Sequence, residues 1–207
     1  MNKKSISALI PKTGKELSFY SGTEIIDRLG EDVIRSVVAS ILSGGNVRSL
    51  TESLTRRRLN LSNGAMLITF LSCLKNIDNF SENLNTIIAD ELNKKKNDKE
   101  TKIFLNWIVG LTGKSIQNVL RSDDSEFQAY LTDLNASLEK SVAESSQVYG
   151  ELSARIIDKE NQEYFLKWPE LIQLFTAIGA QTLTIRGSEK SMYGKFFEKL
   201  VLGSLLS

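Results

Sequence analysis

Apolar residues return every three to four positions through most of this chain, the period of a helix with one buried face. The clearest run is Ile25, Ile26, Leu29, Val33, Ile34, Val37, Val38 and Ile41, with Asp27, Arg28, Glu31, Asp32, Arg35 and Ser36 on the other side. Ser21-Gly-Thr-Glu24 before it fits a capping box, and Ser43-Gly-Gly-Asn46 after it supplies the glycines that suit a helix end. Leu50, Leu54 and Leu59 predict a short helix within 47–60. Ser62 or Asn63 then suits the cap of a helix from Gly64 to about Lys75, apolar nearly all round and therefore central in a core. Ser81 suits the cap of the next, with Leu84, Ile87, Ile88 and Leu92 inward and Lys94-Lys-Lys96 at its end, where positive charge complements the helix dipole. Asp98 opens a further helix carrying Ile103, Phe104, Trp107, Ile108 and Leu111. Gly110 and Gly113 interrupt it before a short piece with Ile116, Val119 and Leu120.

From Asp123 onward Phe127, Leu131, Leu134 and Leu138 predict a long helix. Its seam turns polar at Ser141, Ser145 and Ser146, too early for a coiled coil. The texture changes at 153–167, where Ala154-Arg-Ile-Ile-Asp158 and Glu163-Tyr-Phe-Leu-Lys-Trp168 fit a β-hairpin around a four-residue loop. Pro169 suits the first turn of a helix bearing Leu171, Leu174, Phe175 and Ile178. Arg186-Gly-Ser188 reads as a break, with Ser188 capping a last helix. The pattern thus predicts an all-α, multi-helix bundle of about eight helices with one short β-hairpin near 153–167. Residues 1–20, polar and broken by Pro11 and Gly14, read as a loose leader. Residues 21–152 read as a helical domain, and 153–207 as a hairpin plus helices.

The final segment places Phe196, Phe197, Leu200, Val201, Leu205 and Leu206 at helical spacing, with no polar tail before Ser207. Loose termini normally lie at the surface. An apolar stripe there is expected to meet a partner: further sequence, another protein, or a second copy in a homo-oligomer.

Composition mostly narrows the chemistry. Histidine is absent, which removes Ser-His-Asp and Cys-His nucleophile systems, histidine-bound zinc and imidazole acid–base work. The single cysteine, Cys73, permits no internal disulfide and no cysteine zinc site, and its apolar run marks it as a small buried hydrophobe. Carboxylates, lysines, hydroxyls and a bound metal ion remain for catalysis. The net charge of +1 gives no global pull toward nucleic acid, so any DNA contact must come from a local patch. No stretch approaches the ~18 apolar residues of a membrane span, and the start lacks a signal-peptide core, so a cytoplasmic location is expected.

Thr55-Arg-Arg-Arg58 is the most DNA-like feature. Guanidinium forks match phosphate oxygens, so Arg56, Arg57 and Arg58 are the candidate phosphate contacts, with hydroxyls of Ser49, Thr51, Ser53 and Thr55 beside them. The alternative is a solvated helix face. Lys94-Lys-Lys96 is offset by Asp90, Glu91, Asp98 and Glu100. Glu100-Thr-Lys102 has the letters of a (D/E)-x-K nuclease strand but sits at a helix start, where residues two apart diverge. Gly110-Leu-Thr-Gly-Lys-Ser115 ends like a phosphate loop, yet position 108 is isoleucine and no strand precedes it. No complete metal-ligand set emerges, and no metal site is assigned.

The segment Arg186-Gly-Ser-Glu-Lys-Ser-Met-Tyr-Gly-Lys-Phe-Phe-Glu-Lys-Leu-Val-Leu-Gly-Ser-Leu-Leu206 resembles type II restriction endonucleases of the CfrBI kind. So do Phe19-Tyr-Ser-Gly-Thr-Glu-Ile-Ile-Asp-Arg-Leu-Gly30, Leu54-Thr-Arg-Arg-Arg58 and Leu105-Asn-Trp-Ile-Val-Gly-Leu-Thr-Gly-Lys114, which spread the resemblance over most of the chain. The Gly-x-x-Phe-Glu-x-Leu pattern from Gly194 to Leu200 recurs more loosely in other restriction enzymes, in a helix packed against the catalytic sheet. The resemblance implies site-specific cleavage of double-stranded DNA with Mg²⁺ as cofactor. It makes Glu198 the match to the family helix's acidic residue, a catalytic candidate beside the metal centre. It also implies a PD-(D/E)xK core whose strands are not among these residues, so that 153–207 would lead into that core and this chain alone would not cut DNA. Judged without the resemblance, a non-enzymatic helical interaction protein or a DNA-binding module fits the same residues.

Overall fold

The computed structural model describes residues 5–18, 22–92, 97–112 and 124–206. In chain order these form α1 (Ile6–Leu9), α2 (Lys12–Ser18), α3 (Gly22–Leu29), α4 (Glu31–Leu42), α5 (Arg48–Asn76), α6 (Phe80–Leu92), α7 (Lys99–Ile108), α8 (Asp124–Tyr149), the strands β1 (Ser153–Ile157) and β2 (Glu163–Lys167), and α9 (Trp168–Leu206). The all-α bundle with one hairpin is what the periodicity predicts.

Two long helices organise the bundle. At 1.5 Å per residue, the 29 residues of α5 span about 43 Å and the 39 residues of α9 about 58 Å. Gln173 of α9 donates to the Ser81 carbonyl just beyond α5 (3.0 Å), and Tyr193 and Phe197 pack with Leu54 near the start of α5, so α9 runs back along α5. The helix α7 packs against α9 on another side and places Phe104, Leu105, Trp107 and Ile108 in the core. Phe70 and Phe80 meet edge to face at 5.5 Å where α5 turns into α6.

Four sequence-derived boundaries differ from the structure. The first expected helix is split at Gly30, whose φ of +80° strains any residue with a Cβ. The two pieces expected within 47–75 are one helix, with Ser62 and Asn63 inside it rather than at a cap. A glycine such as Gly64 costs a helix only about 1 kcal/mol, and burial of Leu59, Ala65, Met66 and Phe70 on either side outweighs that. Ser81 lies inside α6, which starts where Asn79 turns at φ 51° and its carbonyl accepts from the Asn83 amide at 3.0 Å. The break expected at 186–188 is also absent: Ser188 Oγ donates back to the Ile185 carbonyl within a continuous α9.

Within the expected loose leader, residues 5–18 are anchored instead. Ser5 Oγ donates to Glu91 Oε2 at 2.6 Å, Ile6, Ile10 and Leu17 are buried, and α2 lies on α5 and α7. Gly14 permits that approach, because a Cβ there would stand 3.1 Å from Ala65 Cβ and 3.2 Å from a Phe104 ring carbon. Other expectations hold. Asp98 caps α7, accepting from the Thr101 amide at 2.6 Å, and Pro169 occupies the first turn of α9. The hairpin pairs Ser153 with Lys167 and Ile157 with Glu163. Ala154, Ile156, Tyr164 and Leu166 face the core, in the alternation a half-buried strand requires. Its loop has five residues, Asp158 to Gln162, rather than four, because Asn161 takes a left-handed φ of 59°. The Ser21 cap, Lys94–Lys96 and the piece with Ile116, Val119 and Leu120 lie outside the described residues.

The closing stripe is covered in part. Tyr193 and Phe197 are buried against Leu17, Val37 and Leu54, while Leu202 is half exposed. The side chains of Phe196, Leu200, Val201, Leu205 and Leu206 lie outside those described.

Candidate nucleic-acid interface

Successive residues on a helix point about 100° apart, so three adjacent arginines cannot share one face. In α5 they separate. Arg56 is exposed and its Nε donates to Glu52 Oε1 at 3.1 Å. Arg57 is exposed, and no carboxylate among the described residues lies within ion-pair distance of it. Arg58 turns inward. Its Nε donates to the Leu17 carbonyl at 2.8 Å and its Nη1 to Glu189 Oε1 at 3.0 Å, with both side chains 2% exposed. Arg58 is a tie between helices rather than a surface group.

A different set of cations shares a face. Arg48, Glu52 and Arg56 stand four residues apart and so lie on one side of α5. Arg48 Nε is 3.9 Å from Glu52 Oε2. Arg186, from α9, reaches across to place Nη2 3.3 Å from Glu52 Oε1. Three guanidinium groups therefore surround one carboxylate. The hydrogen bond from Arg56, helped by the charges of Arg186 and Arg48, holds the Glu52 carboxyl below its ordinary range despite partial burial. Asn46, Arg48, Ser49, Glu52 and Arg56 line an open cleft of about 350 Å³ here. Asn46 Oδ1 accepts from the Arg48 amide at 2.9 Å, which fixes the entry to α5. Of the flanking hydroxyls, Thr51 and Thr55 are buried and donate to carbonyls of their own helix, whereas Ser49 and Ser53 are exposed.

The spacing of Arg48, Glu52 and Arg56 was available in the sequence as an i, i+4, i+8 ladder. Arg186 carried no such signal, because it joins the group only when α9 lies along α5. Glu100 and Lys102 lie on α7, confirming that they diverge. Gly110 ends that helix at φ 75°, and the Gly113-Lys-Ser115 stretch lies outside the described residues. Glu198 is exposed on α9. Among the described residues no three His, Cys, Asp or Glu side chains converge as a metal-holding group. These side chains do not by themselves suit Mg²⁺, which asks for placed carboxylate oxygens.

The sequence profile of the CfrBI restriction endonuclease family matches residues 31–207. The chain belongs to the CfrBI restriction endonuclease family. The type II restriction enzyme CfrBI of Citrobacter freundii is 35% identical over 192 residues, covering 92% of this chain and 52% of that enzyme. The chain thus spans about half the length of the curated relative it matches. No solved structure matches. The family match includes Arg48, Glu52, Arg56, Arg57, Arg186 and Glu198, whereas α1 and α2 lie ahead of it. No described helix of this CfrBI-family chain is long and apolar enough to cross a membrane.

Proposed function

We propose that this chain is the helical, DNA-engaging part of a type II restriction endonuclease, an enzyme that cleaves double-stranded DNA at specific sites with Mg²⁺ in the cytoplasm. Membership of the CfrBI family carries this reading. The exposed arginines Arg56 and Arg57 support a role in holding the DNA backbone, since phosphate contacts position a protein without reading sequence. Glu198 is the one acidic residue here that resembles part of the catalytic apparatus. Metal-assisted cleavage needs several placed carboxylates, so these 207 residues alone bind duplex DNA without cutting it. A plasmid-nicking assay in Mg²⁺ tests this. Nicking by the purified chain that is lost in Glu198→Gln would overturn the non-cutting part of the reading. Absence of any salt-sensitive duplex binding would overturn the DNA-engaging part.

Leu183 and Leu202, 66% and 51% exposed on α9, favour a second reading, in which that helix meets another copy of the chain in a homo-oligomer. Such a contact serves a non-enzymatic interaction module equally well. Light scattering gives the mass directly. A monomer at all accessible concentrations would remove the self-association.

A further inference from the structure

We propose that Glu52 is an internal stand-in for a DNA phosphate: it keeps Arg48, Arg56 and Arg186 gathered, and it competes with the backbone phosphate those guanidinium groups bind. The inference rests on the reading that the chain engages duplex DNA, and it names a site for that contact.

Stability does not account for the cluster. A second arginine–glutamate contact between α5 and α9, Arg58 with Glu189, is enclosed. Around Glu52 three cations share one anion, and they stand 76% (Arg48), 72% (Arg56) and 41% (Arg186) exposed. Exposed ion pairs contribute little to folding, and each added arginine repels the others. The named groups leave an excess of two positive charges, or three with neighbouring Arg57.

The surroundings suit a phosphodiester. The cleft beside Glu52 is open to solvent and adds the side chains of Asn46 and Ser49 to the arginines. It lies at the start of α5, whose first turn carries no acidic residue, so the positive end of the helix dipole adds to the potential. Arg186 joins from 134 positions away in sequence, so the full set of donors exists only when α9 is docked on α5. A bound phosphate would share the arginines with Glu52, and the carboxylate's charge would oppose it.

The test is fluorescence anisotropy of the full chain with a short labelled duplex over a range of salt, with circular dichroism to check folding. The comparison covers Glu52→Gln, Arg48→Ala and Arg186→Ala, with Arg35→Ala, from the one-to-one surface pair with Glu31, as control. Glu52→Gln should bind severalfold more tightly and steepen the slope of log affinity against log salt by about one. Arg48→Ala and Arg186→Ala should bind severalfold more weakly with flatter slopes, and Arg35→Ala should match the parent. Duplex binding unaltered in all three site variants would overturn the stand-in while leaving the DNA-engaging reading intact. Weaker binding by Glu52→Gln would overturn it too, by showing that the carboxylate gathers the arginines without competing with phosphate. No duplex binding by any form would remove both readings. Titration of Glu52→Gln with inorganic phosphate separates the sources. Tight phosphate binding without a gain in duplex affinity would assign the cleft to a free anion and overturn the DNA proposal.

Discussion

Arg58 and Glu189 stand 131 residues apart in sequence and meet at 3.0 Å in the interior, where they join α5 to α9. Arg58 also holds the Leu17 carbonyl of α2, so one guanidinium ties three helices. Removing one partner leaves the other charge enclosed without its counter-charge, which costs about 3–5 kcal/mol. Arg58→Ala and Glu189→Ala should each lower the denaturant midpoint accordingly. The double change Arg58→Met with Glu189→Leu should recover most of the loss, since a matched apolar pair needs no desolvation of charge. Equal losses for single and double variants would show that the pair is not the source.

Gly14 sets how closely α2 approaches Ala65 and Phe104. Gly14→Val places bulk where the neighbours are already within 3.2 Å. Overpacking of this kind costs about 1–3 kcal/mol. Chemical denaturation should register that loss, and proteolysis should cut within 5–18 sooner. A variant as stable and as resistant as the parent would mean that α2 does not depend on this contact.

Asp158 organises the hairpin loop. Its Oδ1 accepts from the amides of Gln162 (2.9 Å) and Glu160 (2.8 Å), and its Oδ2 from the Tyr164 hydroxyl (3.0 Å). The Gln162 amide leads in holding this carboxyl below its ordinary range, helped by Glu160, Tyr164 and the charge of Lys75 and opposed by partial desolvation. A depressed folded value means the contribution is present above the ordinary aspartate range and is lost as pH falls through the lowered value. The Glu160 and Gln162 amide resonances should therefore titrate with a midpoint below that of a free aspartate, and Asp158→Ala should abolish the titration. A midpoint in the ordinary range would contradict the geometry.

Cys73 is 0% exposed, and burial, with a smaller push from the Glu91 charge, raises its thiol to about 12. The thiolate is the reactive form. A thiol-specific reagent at mildly alkaline pH should leave the folded protein unmodified and label one equivalent on addition of denaturant. Rapid labelling of the native protein would refute the enclosure.

The helical class, the place of the hairpin and the Asp98 cap were legible because they rest on local physics: apolar period, strand alternation and a side chain three residues from an amide. The phosphate-binding candidates were legible only by composition. The letters Arg56, Arg57 and Arg58 named the residue type, but helical rotation sent Arg58 inward and Arg56 to Glu52. Residues 5–18 looked loose because Pro11 and Gly14 break a largely polar stretch, and their burial comes from α5, α6 and α7 rather than from their own pattern.

By itself, then, the sequence determined which segments are helical, where two strands replace them and which chemistries lack the residues they need. Tertiary structure alone decided that α5 continues past Gly64 and α9 past Gly187, that α1 and α2 are docked, and that Arg186 joins Arg48 and Arg56 around Glu52. The reason is one of scale. A glycine weakens a helix by about 1 kcal/mol, while each large side chain buried against a neighbouring helix contributes about 1.5–3 kcal/mol, so packing overrules the local signal wherever two helices lie side by side.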